Sequence, residues 1–301
     1  MRQKKKQTNL RHKIEYFAFM IFITMVKISP LFLAGLNRKM IGFLFKKTNK
    51  KYLRLVTGNL KIAFPDASEA AAAELRDKVY RHFSTIFIEI INMFVKKKPE
   101  KILKKIEVNN IGNLEKALKK KEGVIIFTAH FGNWELVPYI LNRELNRHIF
   151  GIARHMDNPL VEKLVKKFRE FMGLKVIYKD NAVKSILSAL KNNEIIYLLI
   201  DQNAIAREAV PIDFFGKQVS AVTSISRLHL KKGVPLVPLF LHYEKDRVVL
   251  DILEEIRFSK TGKDREDIKN LTIQCNELIE DQVKQYPEQW FWFHNRWKIT
   301  Y

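Results

Sequence analysis

Val124-Ile-Ile-Phe-Thr-Ala-His-Phe-Gly-Asn-Trp-Glu135 is the stretch that decides the fold. Its first five residues carry no charge and are rich in β-branched and aromatic side chains, the composition of a short buried strand. Gly132 permits a sharp bend. Asn133 stands where a helix cap belongs, ahead of a helix predicted from about Trp134 to Asn142. A strand that hands over to a helix through a tight turn is the repeating unit of an α/β sheet.

The same texture continues downstream. Ile149 to Ala153 reads as a strand, and Asn158-Pro159 opens a helix reaching Met172, with Pro at the first helical position. Lys175 to Tyr178 is a strand, Ala182 to Lys191 a helix, and Glu194 to Ile200 a buried strand. Val210 to Phe214 reads as an edge strand and Ala221 to Lys231 as a helix closed by Gly233. Leu236 to Tyr243 and Arg247 to Leu253 are strands, and Glu266 to Gln285 is a final helix. The expected fold is α/β, a central mixed sheet flanked by helices. Upstream, residues 52 to 97 read as helices. One ends at Asn59-Leu-Lys-Ile-Ala-Phe-Pro65; the next is capped by Ser68, and Phe83, Ile86, Phe87, Ile90, Ile91 and Phe94 form an apolar stripe at helical spacing.

The N-terminus is of another kind. Arg2, Lys4, Lys5, Lys6, Arg11 and Lys13 precede the run Tyr16 to Val26, which is apolar except for Thr24. No small-residue cleavage site follows, which argues against a signal peptide. A spanning helix needs about 20 apolar residues, and Lys27 interrupts any longer window. Cations flank both sides, through Arg38, Lys39, Lys46, Lys47, Lys50 and Lys51, so charge assigns a span no orientation. A helix dipping into one leaflet fits the length better, with a span and a buried core helix as the other readings. Residues 1–45 are therefore taken as basic leader and membrane anchor, and residues 46–301 as one domain.

Across 301 residues, 54 Lys and Arg stand against 32 Asp and Glu, a net charge of +22. That excess points to an anionic partner: an acidic lipid surface, an acidic carrier protein, or nucleic acid. Lys96 to Lys98, Lys101, Lys104, Lys105 and Lys119 to Lys121 are candidates for such contacts, or simply a solvated face. No nucleic-acid recognition motif accompanies the charge. A basic membrane-associated nucleic-acid-binding protein stands as the non-enzyme alternative, and it leaves the His130–Glu135 block unexplained. The single cysteine, Cys275, sits at a core position of a helical pattern, so an intrachain disulfide is excluded. No clustered ligand set suggests a metal, and no cofactor is expected.

His130 and Glu135 are the residues with chemistry. In one continuous helix they would stand roughly 140° apart. A strand-to-helix turn instead puts Glu135 in the first helical turn, from which it can fold back on the imidazole, orient it and balance its charge as in a base–orienter pair. Taken alone, the spacing favours the plainer reading, a capped loop histidine and a surface carboxylate.

The run resembles the His-x4-Asp/Glu motif of glycerolipid acyltransferases, within the lysophospholipid acyltransferase superfamily, in the Glu form of the late acyltransferases of lipid A biosynthesis. Further blocks resemble that family in order: Asn59-Leu60 with Ala63-Phe64-Pro65; Arg154 with Asn158-Pro159-Leu160; Asp201-Gln202 with Val210-Pro-Ile-Asp-Phe-Phe-Gly216; Val234-Pro-Leu-Val-Pro238; and Pro287-Glu-Gln-Trp-Phe-Trp-Phe-His-Asn-Arg-Trp-Lys298. The resemblance spans essentially the whole chain. It implies direct transfer of an acyl chain from acyl carrier protein, or acyl-CoA, to a hydroxyl of an anionic glycolipid, at an inner membrane with the site facing the cytoplasm. The usual acceptor is a phosphorylated disaccharide precursor of lipid A; other glycolipids and lysophospholipids are the alternatives. His130 would be the general base and Glu135 its orienter. Arg154 would stabilise the oxyanion or bind acceptor phosphate, unless it is a plain surface cation. Asn133, Asn158, Asp201 and Gln202 would serve substrate binding, with structural support the alternative for Asp201 and Gln202. The aromatic segment with Trp290, Trp292 and Trp297 either closes the core or meets lipid.

Overall fold

The computed structural model describes residues 9–28, 50–96, 106–179, 182–205, 208–245 and 247–298. Helices α1 (Leu10–Ile28), α2 (Lys50–Ala63) and α3 (Glu69–Lys96) come first. The Ser68 cap is present: its Oγ accepts from Ala71 N at 3.2 Å. The apolar stripe from Phe83 to Phe94 belongs to the same continuous helix, α3.

The α/β body follows, with β1 (Ile106–Asn109), α4 (Ile111–Leu118), β2 (Val124–Thr128), a 3₁₀ turn (Trp134–Leu136), α5 (Val137–Leu145), β3 (Ile149–Ala153), α6 (Pro159–Phe171) and β4 (Leu174–Tyr178). It continues through α7 (Ala182–Lys191), β5 (Ile195–Leu199), β6 (Ala209–Phe214), β7 (Lys217–Val222), α8 (Ser224–Lys232), β8 (Leu236–Glu244), β9 (Arg247–Ile252) and α9 (Asp264–Gln285). Among the described residues, seven strands form one sheet in the order β1-β9-β8-β2-β5-β3-β4. Only the β8–β9 pairing is antiparallel, so the sheet is mixed.

Strand alternation builds a core on each face. From β2, Ile125 and Phe127 join a cluster with α7, α9 and the C-terminal aromatics; Val124 and Ile126 join one with α4, α5 and Phe168. β8 divides the same way, Leu236 and Phe240 against Val237, Leu239 and Leu241. A strand buried on both faces reads as a continuous apolar run, which is why β2 and β5 were legible. Cys275 is fully buried in the first cluster, as its helical position implied.

Two details differ from expectation. Ala221 lies in β7, not in a helix: β6 and β7 form a hairpin whose two-residue loop, Phe215-Gly216, has φ of 52° and 66°. Asn-Gly is the usual signal for such a loop, and Phe at the first position hides it. Residues 106–118 also form β1 and α4, which the alternation did not single out.

α1 lies on the body. Ile23 and Val26 pack against Ile88 and Ile91 of α3, and Phe22 stacks on Phe87 with centroids 5.7 Å apart. The opposite face carries Leu10, Ile14, Phe17, Ile21, Met25 and Ile28, each more than half exposed. Among the described residues no helix is long and apolar enough to cross a membrane. The boundary expected near residue 45 lies outside the described residues, as do Arg2, Lys4 to Lys6, Arg38, Lys39, Lys46, Lys47, Lys97, Lys98, Lys101, Lys104 and Lys105.

Candidate active site

β2 and β5 run parallel and in step, Val124 level with Ile195 and Thr128 level with Leu199. Two residues past each strand end, the same register brings His130 beside Asp201. His130 N donates to Asp201 Oδ2 at 3.0 Å, and His130 Nδ1 lies 2.7 Å from Asp201 Oδ1. Trp290 Nε1 donates to Oδ2 at 2.8 Å. Burial alone would raise the Asp201 pKa; the charge of the His130 ring and these donors outweigh it and hold the carboxyl down at about 2. An ionised Asp201 can only accept, so Nδ1 carries a proton, and whenever the ring is neutral its lone pair is on Nε2.

The surroundings restrict the ring. Trp134 meets it edge to face at 5.1 Å and Phe291 lies 6.0 Å away. Phe291 N donates to the carbonyl of His130, and Gly132 N to that of Gln289, both at 2.9 Å. The C-terminal segment thus straps the turn in place. Gly132 has φ of 52°, and a Cβ there would stand 1.9 Å from the carbonyl oxygen of Leu241, so neither the dihedral nor the space admits a side chain. Gln202 reaches the ring from the β5 end, its Nε2 3.3 Å from His130 Nε2.

The expected His130–Glu135 pairing is corrected. Glu135 does sit in the first turn after the bend, but its carboxylate is taken by Arg169 on α6. Arg169 Nη2 is 2.6 Å from Oε1, and Nε is 3.2 and 3.1 Å from the two oxygens. A guanidinium offering two donors in a fixed fork outcompetes an imidazole for a carboxylate, and Asp201 already holds the imidazole.

Arg169 was not singled out beforehand, because a cation in the last turn of a helix is common for dipole reasons alone. It lines a surface depression with Arg154, Lys166, Glu162 and Tyr178. Arg154, exposed just past β3, stands at this depression.

Of the residues expected to bind substrate, Arg154 and Gln202 are accessible, whereas Asn133, Asn158 and Asp201 are buried at 0%, 7% and 3% exposure. Asp201 is spent on His130 and Trp290. Asn158 caps α6, accepting from Leu160 N and Val161 N, and donates to the carbonyl of His12 and to Glu15 on α1. Asn133 occupies the cap position but makes no side-chain cap bond; its amide points to Glu89 on α3, 3.5 Å away. Trp290 and Trp292 are buried and close the core, Trp290 also serving as a donor to Asp201.

An imidazole held on a buried carboxylate at the C-terminal edge of a largely parallel sheet has the form of a general-base centre, at the edge where open α/β sheets bind ligands. Residues 3–299 match the family described as bacterial lipid A biosynthesis acyltransferase. A lipid A biosynthesis acyltransferase of Haemophilus influenzae is 24% identical over 248 residues, covering 82% of this chain and 75% of that protein. The lipid A biosynthesis lauroyltransferase and palmitoleoyltransferase of Escherichia coli are each 23% identical, over 86% of this chain and 83% and 82% of theirs. The chain belongs to the bacterial lipid A biosynthesis acyltransferase family and is an acyltransferase.

Proposed function

We propose that this enzyme transfers a fatty acyl chain from the thioester of acyl carrier protein to a hydroxyl of a lipid A precursor at the cytoplasmic face of the inner membrane. The observation that carries the chemistry is the His130–Asp201 pair, which puts the lone pair of the neutral ring on Nε2, where the acceptor hydroxyl takes the place of the Gln202 amide 3.3 Å away. The acceptor hydroxyl gives its proton to Nε2 as its oxygen bonds to the thioester carbonyl carbon. Asp201 balances the imidazolium so formed. The tetrahedral intermediate collapses with rupture of the C–S bond, and the proton passes from Nε2 to the departing sulfur. His130 is thus the catalytic base and Asp201 its orienter. Glu135 is a positioning residue that holds Arg169 at the depression, where Arg154 and Lys166 supply further charge for an acceptor phosphate.

Membrane association is supported by the exposed stripe from Leu10 to Ile28 on α1, which fits a helix lying in the interface. An acidic carrier protein and an anionic acceptor both suit the net charge of +22. A site on the cytoplasmic face follows because that is where such carrier thioesters are available.

The test is mass spectrometry of membrane glycolipids from cells with and without the gene, joined to transfer assays on purified enzyme with acyl carrier protein and CoA thioesters. Loss of one acyl chain from lipid A on deletion, restored by the wild type and not by His130→Ala, is the expected result. An unchanged lipid A profile with no transfer in vitro would overturn the reading.

A further inference from the structure

The mechanism above leaves open what stabilises the negative oxygen of the tetrahedral intermediate. His294, in the C-terminal segment, is bonded to the chain that carries Asp201 and follows the residue that packs on His130. Asn203 is two residues beyond Asp201, and its backbone N–H donates to His294 Nε2 at 3.2 Å. A nitrogen that accepts from an amide carries no proton, so in the neutral ring Nδ1 is the N–H. Among the described residues Nδ1 has no protein partner, and it is not one of the sealed, unsatisfied buried atoms.

The chain that carries the ring is firmly held. Asn59 Nδ2 donates to the carbonyls of Trp292 and His294, both at 2.8 Å. Asn203 Nδ2 donates to those of Asn295 and Lys298, also both at 2.8 Å. Three residues before His294, Phe291 is bonded to the backbone of His130 and lies against its ring. His294 therefore bridges the two chain segments that grip the base.

Burial lowers its pKa; Asp201 opposes this, while Arg296, His130 and Arg154 add to the lowering. The charges it feels include those of Asp201, His130 and Arg154, and with its pKa below the ordinary value the neutral form prevails at physiological pH.

We propose that His294, fixed by Asn203 in the Nδ1–H tautomer, is a second catalytic imidazole that donates a hydrogen bond to the thioester carbonyl oxygen as that oxygen becomes negative. No proton is transferred. This rests on the acyl-transfer reading of the site.

Two substitutions separate donation from support. In His294→Gln the side-chain carbonyl can take over from Nε2 as acceptor for Asn203 while the Nδ1–H donor is lost. In His294→Asn the amide N–H can stand in for Nδ1–H while the acceptor for Asn203 is lost. The assay uses the dodecanoyl thioester of acyl carrier protein and a phosphorylated disaccharide bearing free 3-hydroxyacyl chains, with melting on the same samples.

Removal of one oxyanion donor typically costs about 10² to 10³ in rate. His294→Gln should lose kcat on that order, with KM and Tm near wild type. His294→Asn should recover part of the lost kcat at a lower Tm. Imidazole ¹⁵N shifts should report Nδ1–H for His294.

His294→Gln within twofold of wild type in kcat, a loss confined to KM, or an Nε2–H tautomer would each overturn the assignment. If the wild type transfers nothing to this acceptor, the functional reading itself fails and takes the assignment with it. If the wild type transfers and His294→Gln does too, only the role of His294 falls.

Discussion

His130 is held by residues distant in sequence, Asp201 and Phe291 among them. His130→Ala should lower kcat by about 10² to 10⁴. Asp201→Asn should cost a comparable factor, because an amide can neither fix the Nδ1–H tautomer nor balance the imidazolium. The two act as one unit, so the double variant should be little worse than the worse single one. Transfer rates of the purified variants, with melting on the same samples, check this; a wild-type rate for Asp201→Asn would remove Asp201 from the mechanism. Glu135→Ala leaves the half-buried Arg169 without its carboxylate and should cost about 1–3 kcal/mol of stability as well as turnover. Arg169→Lys should not recover it, since a lysine cannot supply the two-pronged contact. His82 on α3 makes a separate prediction. Its Nε2 is sealed without a partner, and burial depresses its pKa from 6.5 to about 3. Between these values the unfolded chain binds a proton that the folded chain refuses. Stability from this group is therefore complete above 6.5 and falls on acidification towards 3, by up to about 1.4 kcal/mol per pH unit. His82→Phe should flatten that part of the pH–stability curve measured by denaturant titration, and an unaltered slope would place the effect elsewhere.

At the level of elements, the turn between β2 and α5 and the outer face of α1 are the most informative. Gly132 touches the backbone of β8, so Gly132→Ala must displace one or the other. A cost above about 1 kcal/mol and a severe loss of activity are expected, because the strap that positions His130 moves with it. A variant that melts and turns over like wild type would show that the turn tolerates a side chain. On α1, the residues in the exposed stripe make few contacts with the body. If this stripe makes the proposed membrane contact, Phe17→Glu with Ile21→Glu should leave Tm in detergent nearly unchanged while making the enzyme extractable from membranes by high salt. Wild type should require detergent. Equal retention of the double variant after a salt wash would locate the membrane contact elsewhere. The elements also show where pattern reading succeeds. β2, β5 and β8 announced themselves because burial on both faces imposes unbroken apolar runs. β6 is legible as an edge strand, but the turn to its partner β7 is not, because the loop uses Phe215 in a left-handed conformation that favours Asn or Gly.

The whole molecule carries an excess of positive charge that no single contact explains. If it draws in an acidic carrier protein, KM for the carrier thioester should rise steeply with salt while kcat changes little; a salt-independent KM would assign the charge to the membrane or the acceptor instead. The α/β architecture, the helices within residues 50–96, the burial of Cys275 and the place of His130 at a strand-to-helix bend were all legible in the chain itself. Apolar periodicity and turn chemistry are local, and a histidine at a strand-to-helix bend is placed by its immediate neighbours. The partner of that histidine was not legible. Glu135 is five residues away and Asp201 seventy-one, and only the parallel register of β2 with β5 puts the distant carboxylate within 2.7 Å. Arg169 reached Glu135, and Asn158 reached α1, by the same route. Local periodicity decided which segments became strands and helices. Strand order and helix docking decided which polar groups met, because a carboxylate pairs with the donor that packing delivers to it, whatever the distance along the chain.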